Sequence, residues 1–122
     1  MTTPLPPPTA EVARLVALIG PEATLALVEA RAAARLYVPR TVQEDGELVR
    51  IVGREAAEAL AAVAAGEYLK VPVARKWRTL VYKAQGRSYA EIAHALQISQ
   101  NKVWTILSDY ELTASQFDLF DR

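Results

Sequence analysis

The chain has 122 residues, of which 52% are hydrophobic, with 14 basic and 14 acidic side chains and no cysteine. This length supports one compact domain or two small ones, and the lack of cysteine excludes disulfides, thiolate metal sites and cysteine nucleophiles. The longest apolar run, near residues 56–65, is too short to span a bilayer, and no signal peptide is recognisable, so we expect a cytoplasmic protein.

The net charge of zero conceals three segments of different sign. Residues 1–69 carry six basic and nine acidic side chains, residues 70–107 carry seven and one, and residues 108–122 carry one and four. The middle segment therefore has a net charge of +6. Such a segment suits contact with nucleic-acid phosphates, and it equally suits a solvated basic face.

The first third of the chain predicts an arm, two helices and a short strand. Residues 1–8 contain four prolines, which cannot form a helix, so we predict a disordered arm. Apolar residues then recur at helical spacing until Gly20, and Pro21 suits the first turn of a second, alanine-rich helix. A three-residue strand at 36–38 follows and stops at a proline.

This pattern occurs again at an offset of 33 residues, with Gly20 aligned to Gly53 and a second L-x-V-P strand at 69–71. A duplicated helix-helix-strand region over residues 9–72 explains the repeat, although alanine-rich helices could also match by composition. Strands this short need a partner, so they should pair with each other or with copies from a second chain. We expect a dimerisation region whose strand residues are Leu36, Tyr37, Val38, Leu69, Lys70 and Val71.

Two details of the repeat carry further expectations. Asp45 lies before the first helix of the second copy and is a candidate for its N-terminal cap. Gly66 suits a tight turn between helix and strand in the second copy, whereas the first copy has Ala33 and Ala34 at this point. The two turns are therefore expected to differ.

A basic helix and two shorter helices follow. The first runs from about residue 73 to Gln85, with Trp77 in its apolar face, and ends at Gly86. The pattern from Ser88 to Leu107 then predicts a helix-turn-helix, within a predicted domain of residues 73–108. The alternative is a plain helical hairpin in an all-helical core. The predicted fold class is mainly α, with a C-terminal three-helix helix-turn-helix domain.

The spacing inside this stretch is demanding. Ser88 and Glu91 form an S-x-x-E capping box, and Ala93 supplies the small residue where the two helices cross. Gln97 occupies the turn position at which glycine is often found in a left-handed conformation. Ser99 can cap the second helix, and Trp104 is expected to pack against the domain rather than against the backbone of a bound nucleic acid.

A helix placed in the major groove of DNA reads base edges with exposed polar residues near its start. In the predicted second helix, residues 100–108, these candidates are Gln100, Asn101, Lys102 and Thr105. The candidates for phosphate contact, which sets affinity without sequence preference, are Arg75, Lys76, Arg78, Lys83, Arg87, Ser88 and Ser99. Each of them could also be merely solvated. His94 is expected on the exposed side of the first helix.

The order of these motifs resembles a known family. G-x-E-A, L-x-V-P, R-K-W-R and G-x-S-Y-x-E-I-A-x-x-L-x-I-S followed by V-x-x-I look like the Mor and C activators of Mu-like phages, over roughly residues 52–107. The resemblance implies a homodimer that binds promoter DNA and helps recruit RNA polymerase. It also implies that residues 69–71 are a linker strand and that residues 100–108 form the recognition helix.

The acidic tail, residues 109–122, carries a separate motif. Its pentapeptide resembles the Q-L-[SD]-L-F peptide by which bacterial proteins bind the replication sliding clamp, and it consists of Gln116, Phe117, Asp118, Leu119 and Phe120. The same side chains could instead pack on the protein's own core. A DNA-bound adaptor that recruits or sequesters the clamp is therefore one alternative function.

A third hypothesis is that the chain is an oligomeric phage packaging protein or nucleoid protein. The sequence indicates neither an enzyme nor a cofactor or metal site, since the one histidine has no cysteine or second histidine beside it. The leading prediction is a dimeric, sequence-specific transcription regulator at the nucleoid, most simply an activator from a phage or prophage.

Overall fold

The computed structural model describes the backbone of residues 5–120 and the side chains of residues 5–111. In this part, the predicted mainly helical class with two short strands is confirmed. The chain divides between Ala74 and Arg75 into two compact units, the repeat unit (Pro7–Ala74) and the helix-turn-helix unit (residue 75 onward, with the residues before Pro7). The elements in chain order are α1 Ala13–Ile19, α2 Pro21–Arg31, β1 Arg35–Tyr37, α3 Glu47–Val52, α4 Arg54–Ala64, β2 Tyr68–Lys70, α5 Arg75–Ala84, α6 Tyr89–Leu96 and α7 Gln100–Phe120.

The repeat predicted at an offset of 33 residues is visible in the backbone angles. Gly20 ends α1 with φ 85° and ψ 163°, and Gly53 ends α3 with φ 88° and ψ 164°. In both copies the glycine N–H donates to the carbonyl four residues earlier, at 2.8 Å. This region of φ and ψ is open essentially to glycine alone, so each glycine sets the angle between two helices.

The turns after α2 and α4 also match, although the sequence predicted a difference there. Ala33 has φ 65° and its counterpart Gly66 has φ 82°, so both are left-handed. An alanine adopts this conformation at a cost of about 1 kcal/mol, which the strand pairing next to it offsets. The expected cap at Asp45 is wrong: the N-cap of α3 is Gly46, and no side chain caps the helix.

The two strands pair with each other, antiparallel and within one chain. Leu36 lies opposite Leu69, its own counterpart in the repeat. Both strands lie one residue earlier than predicted, yet Val38 and Val71 still donate backbone hydrogen bonds across the sheet, each at 2.9 Å. Of the two pairing modes left open by the sequence, the structure therefore shows pairing within the chain.

The two copies are thus related by a local two-fold axis. Their helices pack crosswise, α1 on α4 and α2 on α3. A groove of about 490 Å³ is lined by five pairs of equivalent residues, among them Leu18 with Ile51 and Glu22 with Glu55. The core includes Leu27 and its counterpart Leu60, which are at most 1% exposed, and Val38 and Val71, which are fully buried.

The helix-turn-helix unit is built around Trp77, which is fully buried as predicted. Its indole Nε1–H donates to the carbonyl of Pro6 at 3.2 Å, because a buried indole needs an acceptor. Pro6 belongs to the segment predicted as a disordered arm, and in the structure its carbonyl accepts this hydrogen bond from Trp77. Residues 1–4 of the arm lie outside the described residues.

The last helix is longer than predicted. We expected it to end at Ser108, before a separate tail, but the backbone of α7 continues to Phe120. The physical reason is that neither glycine nor proline occurs between these two residues. A boundary at residue 109 therefore does not exist in the secondary structure.

Candidate nucleic-acid interface

The helix-turn-helix begins with the predicted capping box. The Glu91 N–H donates to Ser88 Oγ at 3.1 Å, and the Ser88 N–H donates to Glu91 Oε1 at 3.0 Å. The backbone hydrogen bond from Ser88 is the largest cause that lowers the pKa of Glu91, followed by the Ser88 side chain and by the nearby charge of Arg87. Two backbone donors at the start of α6 are therefore satisfied by neighbouring side chains.

The turn between the two helices has the conformation that the motif requires. Gln97 is left-handed, with φ 56° and ψ 46°, and the next residue, Ile98, donates its N–H to the carbonyl of Ala93 at 3.0 Å. A side chain in this conformation costs about 1 kcal/mol, which the hydrogen bonds of the turn and the burial around it offset. Ala93 is 7% exposed, as expected for the small residue predicted where the two helices cross.

The second helix is held by a cap at its start and a buried stripe on one side. Ser99 Oγ accepts the Lys102 N–H at 3.0 Å, as predicted. Val103 is fully buried, and Ile106 and Leu107 are at most 8% exposed. These contacts fix which face of α7 is presented to solvent.

Three of the four predicted base-reading residues are exposed to solvent. Gln100, Asn101 and Lys102 are exposed in the first turn of α7. Thr105 is half-buried, and its hydroxyl donates to the Asn101 carbonyl at 3.0 Å. Its methyl group and its hydroxyl oxygen, as an acceptor, therefore remain for other contacts. An amide side chain at the start of such a helix can grip adenine with two hydrogen bonds.

Trp104 is the residue that the sequence interpretation placed wrongly. We expected it to pack against the domain, but 56% of its surface is exposed. It lies one residue after the buried Val103, about 100° further round the helix, and three and four residues after Asn101 and Gln100. This position beside the exposed amides is the signal that could have placed it on the exposed face of α7.

The predicted phosphate-contacting residues on α5 fall into two groups. Arg75, Lys76 and Lys83 are exposed. Arg78 is half-buried, donates from Nε to the Tyr82 hydroxyl at 3.1 Å, and lies 5.6 Å from the centre of that ring. Its side chain is therefore held by the protein rather than fully available to a ligand.

Lys83 of α5, and Arg87, which follows this helix, also have their charged groups over aromatic rings. The guanidinium of Arg87 lies 4.2 Å from the ring centre of Tyr82, and the Lys83 ammonium lies 5.2 Å from that of Tyr89. Cations above ring faces keep their charge while losing some of their freedom to move. Ser88 and Ser99, also proposed for phosphate contact, act as helix caps, and His94 is exposed as expected.

The predicted dimer strands present a different surface. Tyr37 and Tyr68 are 46% and 63% exposed, with ring centres 5.3 Å apart. The exposed Arg35 and Lys70 lie opposite each other next to them, on the same side of the sheet. Tyr37 and Lys70, which we expected in the strands of the dimerisation region, thus lie on the exposed side of a sheet that forms within one chain.

The pentapeptide at residues 116–120 forms the helical end of α7. Its side chains lie outside the described residues, so the clamp interpretation stays a prediction. No helix in the described range is long and apolar enough to cross a membrane. Nor do residues 5–111 bring together a group of side chains able to hold a metal ion.

No protein-family model, no curated protein and no solved structure matches this chain. The likeness to the Mor and C activators therefore rests on the motifs in the sequence alone.

Proposed function

We propose that the protein is a sequence-specific regulator of transcription that places α7 in the major groove of double-stranded DNA. The observation that carries this proposal is the exposed amide pair, Gln100 and Asn101, at the start of a helix whose opposite face is buried in a helix-turn-helix. Such a helix has the polar groups needed to read base edges.

Charge supports the same proposal. The unit around α7 carries most of the +6 segment, and Arg75, Lys76 and Lys83 are exposed there. Cations of this kind bind phosphates and make affinity depend on salt. Because the sequence resembles phage activators, we propose that this regulation is activation at a phage or prophage promoter. The protein would then contact RNA polymerase in the nucleoid.

Base reading and phosphate contact can be separated with two variants. Asn101→Ala should lower affinity about 10- to 100-fold for a duplex carrying the preferred sequence, and should leave affinity for random duplexes nearly unchanged. Fluorescence anisotropy on both kinds of duplex measures this. Gln43→Ala, an exposed amide in the repeat unit, is the matched control.

Lys76→Ala should weaken binding to both duplexes by the same factor, and it should reduce the slope of log affinity against log salt by about one. Arg50→Ala, an exposed cation on α3, is the control.

Equal losses on both duplexes for Asn101→Ala would contradict the role given to α7.

The clamp adaptor remains a second proposal on the strength of the QFDLF sequence. Its test is binding of purified sliding clamp to the chain with and without residues 116–120. Unchanged binding after the deletion would remove this alternative.

A further inference from the structure

The two copies of the duplicated segment make with each other the contacts that two identical subunits make in a symmetric dimer. In a two-fold dimer, a residue on the axis faces its own copy in the partner. Here Leu36 faces Leu69, its counterpart in the same chain. The hydrogen bonds beside this pair also occur twice, once from Val38 and once from Val71.

An ion pair indicates that the first copy is adapted to the second. Arg31 at the end of α2 pairs with Glu47 at the start of α3. The residue equivalent to Arg31 in the second copy is Ala64, and the residue equivalent to Glu47 in the first copy is Arg14. Pairing two first copies would place Arg31 beside an arginine, and pairing two second copies would place Glu47 beside an alanine.

The ion pair is half-exposed and adds little stability. Its effect is discrimination, since like charges disfavour the competing arrangement. At this position the first copy therefore fits the second copy better than it fits itself.

This chain has fewer proposed DNA-reading helices than a symmetric dimer of two single-copy chains would have. Residues 5–120 contain one helix-turn-helix for two copies of the helix-helix-strand segment. The second copy is followed by α5, whereas the first is followed by an irregular connection at residues 40–46. Two single-copy chains that paired in this way would carry two reading helices and would require a DNA site with a dyad.

We propose that the repeat unit is an internal pseudo-dimer, so that one copy of this chain binds DNA and reads a single asymmetric site. The proposal rests on the DNA-binding function proposed above. It replaces the homodimer and the dyad site that the resemblance implies with one chain per site and a sequence without internal symmetry.

The mass of the free chain tests the internal pairing without reference to DNA. Light scattering after gel filtration should give the mass of one chain, 13.4 kDa, and this mass should not change with dilution. A mass of two chains would overturn the proposal, whether the copies exchange between chains or pair like with like. A larger ring would overturn it too.

The bound DNA tests the asymmetric site. Sequences selected from a random duplex pool should share a motif without an inverted repeat, and native mass spectrometry should find one chain on the selected duplex. An inverted repeat occupied by two chains would overturn the proposal while leaving the DNA-binding function intact. A pool without an enriched sequence would contradict the proposed function instead, and the mass of the free chain would then decide the internal pairing.

A charge exchange tests the match between the copies. Arg31→Glu and Glu47→Arg should each lower the urea midpoint, and the double variant should regain most of the loss while staying a single chain by mass. The control is the same exchange at Arg54 and Glu58, an ion pair inside α4 that does not join the two copies. Additive losses in the first double variant, or a two-chain mass, would contradict the pairing of first with second copy.

Discussion

Gly20 and Gly53 each lie where one helix ends and the next begins. Their backbone angles, near φ 85° and ψ 163°, suit a residue without a side chain. An alanine Cβ built on Gly53 would meet no atom within 4 Å. A substitution there therefore tests backbone strain separately from steric overlap.

Gly53→Ala should lower the free energy of unfolding by about 1–3 kcal/mol, because φ 88° with ψ 164° is strained for alanine. Urea denaturation of the full chain measures the change. Asp45→Ala, an exposed position that does not cap α3, should stay within about 0.5 kcal/mol of the unsubstituted protein. A neutral result at Gly53 would show that the junction adopts another conformation.

The ionisation of Glu91 gives stability a definite dependence on pH. Hydrogen bonds from Ser88 lower the pKa of this carboxyl from its ordinary 4.5. A lowered pKa in the folded state stabilises the fold above the ordinary pKa, and this contribution is lost as the pH falls through the lowered value. Its effect is therefore complete at neutral pH and absent in strong acid.

Glu91→Gln keeps an acceptor for the Ser88 N–H but removes the charge. The unsubstituted protein should be more stable than this variant at pH 7, and the difference should vanish as the pH falls below 4.5 through the lowered pKa. Urea midpoints at a series of pH values measure it. A difference that is independent of pH would show that ionised Glu91 does not support the capping box.

At the scale of elements, glycine and proline positions made most helix and strand boundaries predictable. Gly20 and Gly53 marked helix ends, and Pro39 marked the end of a strand, because their backbone preferences act locally. The end of α7 was not predictable in the same way. A helix without a breaker continues until its surroundings stop it, and the change from basic to acidic charge near Ser108 is no such signal.

The orientation of Trp104 was also missed, because a large apolar residue is usually buried. Trp104→Ala should leave the thermal midpoint nearly unchanged, since 56% of the side chain is exposed, and should lower DNA affinity several-fold by removing an apolar contact. Melting curves and anisotropy measure the two effects. Tyr110→Ala, a 42% exposed aromatic two turns along on the side of the buried stripe, is the control. A large loss of stability in Trp104→Ala would instead show that this side chain packs against the domain.

At the scale of the molecule, the sequence indicated the duplication but not how the copies meet. Matching residues such as Gly20 and Gly53 reveal a repeat directly. Pairing of strands within one chain or between two chains depends on contacts far apart in sequence, and both arrangements satisfy the same hydrogen bonds. The exposure of Gln100, Asn101 and Lys102 at the start of α7 was predictable because capping and helical spacing at Ser88 and Ser99 fix the motif locally.

Whether α7 reads DNA sequence can be measured by selecting bound duplexes from a random pool with the full chain. We expect a short enriched motif that disappears or broadens when the selection is repeated with Asn101→Ala. A bound pool indistinguishable from the starting pool, or the same motif from both proteins, would contradict sequence reading by Asn101 of α7.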